Sequence, residues 1–323
     1  MDKSQFRTLL NIPKSNKKIS LNEPIFTIGS CFSDVIGRYL ENYKFSVLSN
    51  PYGTVYNPIS IFKLLSSSEW NDKKFIERDG VWFHHDAHSS FFNKNKSVLL
   101  EQLKTVKKQS YNQLKSAKWL IITLGTSFVY RQKSFQEVVA NCHKVPQEQF
   151  SKEMLSVKEI IQEFDHFYSF ISDLNSDLKI ILTLSPVRHT KDGFEENSAS
   201  KARLRIACDE IQKQHESVFY FPSYEIMLDD LRDYRFYKPD LIHPNEIAEE
   251  YIWERFQETY FDAKTLQFIS DWEKIRSAIK HRPFNPESPG HQKFVQSTLL
   301  QLKKLSVSVD TSREEEILKK QLR

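Results

Sequence analysis

PIFTIGSCFSDVIGRYLE, residues 24–41, decides how the chain is to be read. Residues 25 to 28 form a short apolar, β-rich run, and from about 33 to 42 the apolar residues recur at helical spacing. Between them stand Gly29, Ser30 and Cys31, a glycine, a hydroxyl and a thiol where a strand hands over to a helix. Such a turn either supports structure only or seats a nucleophile.

Three further β-rich runs follow the same logic: Trp119 to Leu124, Ile180 to Leu184 and Val218 to Phe221, with Phe45 to Leu48 as a possible fifth strand. The runs Trp119 to Leu124 and Ile180 to Leu184 are continuous rather than alternating, as strands covered on both faces are. Helical patterns at about 33–42, 58–66, 97–117, 156–175, 199–215 and 246–258 lie between or after them. This alternation predicts an α/β fold, a doubly wound parallel sheet with right-handed crossovers. Residues 71–95 carry Asp79-Gly80 between apolar flanks and predict an inserted hairpin. Residues 127–147 predict a second excursion beyond a strand end. Beyond about residue 262 the chain is helical and charged, and the expected division is 1–262 for an α/β domain and 263–323 for a helical extension. Its closing segment, SREEEILKKQLR, pairs Glu and Lys at i,i+4, which supports an exposed helix; it reads as a docking or oligomerisation arm or, as the favoured reading, a frayed tail.

Composition bounds the function classes. Hydrophobic residues at 39% and charged residues at 27% are ordinary for a soluble globular chain. A net charge of +4, from 46 basic and 42 acidic residues, is too mild to imply nucleic acid. No stretch approaches the ~18 apolar residues of a membrane span, and the N-terminus lacks the apolar core of a signal peptide. The three cysteines, Cys31, Cys142 and Cys208, form no even framework, so a reduced, cytoplasmic setting is the expectation. No oligomeric state is readable.

The strand ends supply polar residues in order: Gly29-Ser30-Cys31, Asn50 to Thr54, Gly125-Thr126-Ser127, Ser185 to His189, and Asp240 to Pro244. In an open α/β sheet the carboxyl ends of the strands converge on one crevice. A helix N-terminus and a neighbouring imidazolium both lower a thiol pKa, so Cys31 is expected to be an activated thiol. Because adjacent side chains leaving a strand point to opposite sides, only one of Ser30 and Cys31 is expected to face the crevice.

At these residues the sequence resembles a known family. IGSCFSD (28–34) is similar to the signature of the GSCFA family, which resembles the SGNH (GDSL-like) hydrolases. NPYGTVYNP (50–58), LGTSFVY (124–130), ANCHKVP (140–146), LSPVRHTKDG (184–193), YFPSYEIMLDDLRDYRF (220–236) and DLIHPN (240–245) look like further family blocks. The resemblance implies a flavodoxin-like three-layer sandwich. Aligned on the glycine, the SGNH Asp falls on Ser30 and the nucleophilic Ser on Cys31; the Asp-x-x-His falls on Asp240 and His243, orienter and base. The oxyanion-hole glycine falls on Gly53, beside Asn50. The SGNH Gly-x-Asn places its asparagine at Ser127, a departure, since a hydroxyl reaches less far than an amide.

The expected activity is therefore an esterase or O-acyltransferase acting on an acylated carbohydrate or small ester, through a Cys or Ser nucleophile with His and Asp, and without a cofactor. His143 is read as lining the site, Arg188 as a fork for a carboxylate or phosphate or as an ion pair with the acidic 225–233 stretch, and Glu225 as approaching the site. Asn197, Ser200 and Lys201 are expected to open the helix near 199, with Ser198 or Ser200 as its cap, a structural role. Two other readings stay open. One is a non-catalytic ligand-binding protein on a degenerate scaffold. The other is a metal-dependent hydrolase using His84, Asp86 and His88, which would share one face of a strand.

Overall fold

The computed structural model describes residues 8–322. Its centre is a five-stranded parallel sheet of β1 (Ile25–Gly29), β2 (Val47–Ser49), β5 (Trp119–Leu124), β9 (Lys179–Leu184) and β10 (Val218–Phe221), in the order β10-β9-β5-β1-β2. Taken in chain order the strands lie 2-1-3-4-5, the flavodoxin-like arrangement, whose switch point falls between β1 and β5. Every residue of β1 and β5 is buried, whereas the edge strands β2 and β10 are only partly so. Gly29 pairs with Thr123, which pairs in turn with Thr183, so three strand ends stand level.

The period-2 alternation of the strands divides the core into two layers. Phe26, Ile28, Leu120, Ile122, Ile180 and Leu182 face one layer. There they meet α2 (Pro58–Ser66) through Phe62, α4 (Val157–Leu174) through Phe164 and Phe167, and α5 (Phe194–Gln214) through Leu204 and Ile211. Helix α3 (Lys96–Ser116) adds Leu114. Ile25, Trp119, Ile121 and Ile181 face the other layer, against Phe32, Ile36 and Leu40 of α1 (Cys31–Asn42). Helices α6 (Ser223–Leu228) and α7 (Glu246–Tyr260) complete it with Ile226, Ile252, Trp253 and Phe256.

The handover that opened the sequence is a strand ending against its neighbour. Gly29 has φ +144°, and a Cβ there would lie 2.1 Å from the Thr123 carbonyl oxygen, so only glycine fits. Ser30 follows as the N-cap of α1, its Oγ accepting from the Phe32 N–H.

The Asp79-Gly80 hairpin forms as expected between β3 (Phe75–Arg78) and β4 (Val81–His84), with both turn residues at positive φ, 50° and 76°. The second excursion is larger than its sequence suggested. It is a three-stranded antiparallel sheet, β7-β6-β8, of β6 (Phe128–Gln132), β7 (Glu137–Val139) and β8 (Phe150–Met154).

Two expectations fail. Helix α5 starts at Phe194, behind Gly193 at φ 94° with no side-chain cap, so Ser198 and Ser200 lie inside it rather than at its N-cap. The closing segment is not a frayed tail. It forms α10 (Ser312–Lys319), docked on α8 (Ala263–Lys280) and α9 (Pro289–Leu305), with Leu318 fully buried and Glu314 paired to Lys44 at 2.9 Å. Its expected i,i+4 pairs are present at 2.6 Å, Glu315 with Lys319 and Glu316 with Lys320. Phe268, Trp272, Val295, Leu302 and Leu318 join the same apolar layer as Trp253 of α7. No described helix is long and apolar enough to cross a membrane.

Candidate functional site

The C-terminal edge of the parallel sheet gathers most of the residues singled out from the sequence. Ser30 and Cys31 divide their roles. Ser30 is 1% exposed and engaged as the helix cap, whereas the thiol of Cys31, at the first position of α1, is only half-buried. Of the two, Cys31 is the group a ligand can reach.

The thiol is not activated in the way its position suggested. Burial pushes the Cys31 pKa up, the Asp34 carboxylate adds to the rise, and Lys201 with the backbone N–H groups of Cys31 and Phe32 pulls it back. The helix N-terminus acts in the expected direction, but loss of solvation outweighs it. Cys31 in the resting protein is therefore a thiol rather than a standing thiolate.

Asn50 and Gly53 meet the same crevice, yet both are occupied with the backbone. Asn50 Oδ1 accepts from the Gly29 N–H at 2.8 Å, and its Nδ2 donates to Asp34 Oδ1 at 2.6 Å. The side chain thus ties the end of β1 to α1. The Gly53 N–H donates to the Asn50 carbonyl at 2.8 Å, closing a turn, so it is not a free oxyanion donor. The glycine is needed for another reason: at φ +73° a Cβ would lie 2.4 Å from His88 Cβ. His88 consequently walls this side of the crevice.

Ser127, expected as the third donor, is fully buried. Its N–H and Oγ–H both donate to Ser200 Oγ, at 2.8 and 3.0 Å, and Thr126 Oγ1 lies 3.0 Å from the same oxygen. These bonds clamp α5 onto the loop after β5. Sequence reasoning placed Ser200 at a cap; it is the hub of this clamp instead.

Asp240 and His243 form the expected pair. His243 Nδ1–H donates to Asp240 Oδ2 at 2.7 Å, and Asp240 Oδ1 accepts from the N–H groups of Ile242 and His243 at 2.9 and 3.0 Å. These bonds hold the Asp240 carboxyl down to about 2, so it is ionised at any physiological pH. The tautomer leaves Nε2 with its lone pair outward, the arrangement a general base requires. Among the described residues no hydrogen bond joins His243 to Cys31.

Arg188 has a different task from the one expected. Its guanidinium donates to the Leu241 carbonyl, lies 4.4 Å from the Tyr237 ring centre, and its backbone N–H donates to Ile242 at 3.3 Å. Leu241 sits at φ 58°, a left-handed conformation that a branched residue adopts only when its surroundings hold it there. Arg188 pins that loop, and no ion pair joins it to the 225–233 stretch among the described residues. Glu225 accepts from the Tyr220 hydroxyl at 2.8 Å and pairs with Arg205 Nε at 3.1 Å.

His143 belongs elsewhere. It lies in the inserted layer, stacked on Phe83 with ring centres 4.9 Å apart, its Nε2–H donating to the His84 carbonyl at 2.9 Å. It borders a cavity of about 390 Å³ shared with Arg78, Phe83, Phe92 and Lys144. The strand reading of His84, Asp86 and His88 also fails, because β4 ends at His84. His84 Nε2–H donates to the Asn71 carbonyl, and its Nδ1 accepts from the Asp86 N–H, so both ring nitrogens are engaged. The described residues contain no cluster of three or more side chains suited to hold a metal.

One residue read as merely structural, at the opening of a helix, has a place here. Lys201 of α5 is 2% exposed, and its Nζ donates to the Ser185 carbonyl at 2.6 Å. Burial lowers its pKa to about 7, opposed by Cys31 and Glu225. In the sequence it reads as one more helical lysine; the only signal was its position directly after Ser200.

No curated protein matches the chain. Residues 24–256 match the model of the GSCFA family, and residues 272–323 match that of the GSCFA domain protein, C-terminal domain. The first match spans every strand of the parallel sheet together with Cys31, Asp240 and His243, and on it the chain belongs to the GSCFA family.

Proposed function

We propose that this protein is an acyl-transfer enzyme, an esterase or O-acyltransferase of SGNH type, with Cys31 as nucleophile, His243 as base and acid, and Asp240 as orienter. The observation that carries the reading is the Asp240–His243 pair, whose Nδ1–H bond to the carboxylate leaves Nε2 unbonded, in a loop tied through the Ile242 carbonyl to Arg188 beyond the end of β9. In such a reaction the Cys31 thiol gives its proton to Nε2 as sulfur bonds to the carbonyl carbon of an ester. Collapse re-forms the carbonyl and breaks the bond to the alcohol oxygen, which takes the proton back from His243. Water or a sugar hydroxyl then attacks the thioester. A neutral resting thiol suits this sequence, because the proton leaves during attack rather than beforehand. Contact between base and nucleophile is required only with substrate bound, since catalytic hydrogen bonds tighten in the complex.

The commitment of the Gly53 and Ser127 donors favours a second reading, a ligand-binding protein on the same scaffold. Intact-mass analysis after exposure to a panel of aryl and sugar acetates separates the two. We expect an acetyl adduct on the Cys31 peptide that neutral hydroxylamine removes, that is absent from Cys31→Ala, and that forms about 10²-fold more slowly in His243→Ala. No adduct and no released alcohol with any ester would sink the enzymatic reading and leave the binding protein.

A further inference from the structure

The crevice contains one fully buried charge that the scheme above does not use. Lys201 is held in register by its neighbour: Ser200 bonds Thr126 and Ser127, which end the β5 side of the crevice. The Lys201 side chain runs from there to the Ser185 carbonyl, just beyond the end of β9. Cys31 stands just beyond the end of β1, and β1 and β9 flank β5 on either side. The ammonium and the thiol therefore lie on the two sides of one strand end, at the switch point where ligands bind in such sheets. Their charges sense each other: Lys201 lowers the Cys31 pKa and Cys31 raises that of Lys201. Nζ of the protonated lysine has three protons; it donates to the Ser185 carbonyl and lies 5.1 Å from the Tyr224 ring centre, and among the described residues it has no other hydrogen-bond acceptor.

We propose that Lys201 is the cation of the Cys31 site, its free N–H groups meeting the negative charge that develops beside the sulfur. It would replace the two donors, Gly53 N–H and Ser127 Oγ, that are bonded within the fold. The catalytic meaning rests on the acyl-transfer reading. As sulfur bonds to the carbonyl carbon, the π pair moves to oxygen, and that oxyanion receives a hydrogen bond from Lys201 Nζ. The pair returns to re-form the carbonyl when the alcohol leaves, so the lysine is unchanged over the cycle. A cation in a site closed to water stabilises such an anion more strongly than the same charge at the surface. The groups that sense Lys201 are Cys31 of α1, Glu225 and Tyr224 of α6, and His189 after β9, while Asp34 acts on the Cys31 thiol. Glu225 is itself paired with Arg205.

The test compares alkylation of Cys31 by anionic iodoacetate and neutral iodoacetamide, read by peptide mass spectrometry from pH 6 to 9. The ratio of the two rates cancels the thiolate fraction and reports the charge beside the sulfur, and the comparison with Lys201→Met separates the lysine from the His243 imidazole. We expect the ratio in the wild-type protein to fall about tenfold as pH rises through the Lys201 titration, and Lys201→Met to give the lower ratio at every pH. A wild-type ratio that is flat with pH overturns the proposal without any variant. So does an unchanged ratio in a folded Lys201→Met. The acyl-adduct experiment fails independently: an anion preference at Cys31 without any thioester keeps the cation and discards the enzyme. A thioester without the preference discards the cation alone.

Discussion

Two regions of the molecule bury polar groups, and they do so in opposite ways. In the inserted layer the buried charges are paired with one another. Lys74 is fully buried, and its Nζ donates to Asp86 at 2.8 Å and to the Val138 carbonyl at 2.9 Å, with Glu137 at 3.2 Å. Lys63 closes the group on Glu137 at 2.5 Å. His84 has both ring nitrogens bonded to backbone. At the strand ends the reactive groups are served on one side only: His243 by Asp240, Lys201 by Ser185, Cys31 by the first N–H groups of its helix. Saturated polar clusters specify packing, whereas groups with one valence left open are able to meet a ligand. The comparison assigns the insertions to the architecture and the crevice to the chemistry.

Acid should break the inserted layer first, and with the largest effect. Burial lowers the pKa of both His84 and His143 to about 4. Their folded values lie below the unfolded value of about 6.5, so the unfolded chain takes up protons first as pH falls. The stability they contribute is complete above pH ~6.5 and is lost on descending toward pH ~4, on the order of 3 kcal/mol per ring. Urea unfolding across this range should show a steep fall, and ring-proton NMR should find both histidines still neutral at pH 5.5. Rings that titrate near 6.5 in the folded protein would break the comparison.

A single substitution should come next. Lys74→Met leaves Asp86 and Glu137 without their buried partner and should cost about 3–5 kcal/mol. Denaturant midpoints measure it, and a loss below ~1 kcal/mol would mean that the cluster is not the closed unit described here. The smallest effect belongs to the crevice. Cys31→Ala removes a half-buried thiol to which no side-chain hydrogen bond is made among the described residues, and stability should change by no more than about 0.5 kcal/mol while the acyl adduct disappears. A large loss of stability in Cys31→Ala would place that residue among the architectural groups.

Much of the fold was legible because its signals are local. Trp119 to Leu124 is bounded as read, since five apolar residues and one threonine, all buried, leave no polar helical face. Helix α2 is bounded as read because Asn57 caps it and Pro58 takes its first position. The start of α5 was misplaced by five residues because its cap, Gly193, has no side chain to announce it. Docking of α10 was the less favoured of two readings because the contact depends on one leucine and on partners far away in the chain.

The site divides along the same line. Asp240 and His243 are three residues apart, so their hydrogen bond is a local matter that spacing alone could forecast. Sequence therefore determined the alternation of strands and helices, the thiol at a helix start and the paired carboxylate and imidazole. Tertiary structure alone decided which groups remained available. Asn50, Gly53 and Ser127 were drawn into bonds with other backbone and side-chain groups, Arg188 into holding a loop, and Lys201 into the crevice. The physical reason is that a residue's type fixes what it can donate, accept or ionise. Its solvation and its partners, which set whether it does so, come from segments brought together only when the chain has folded.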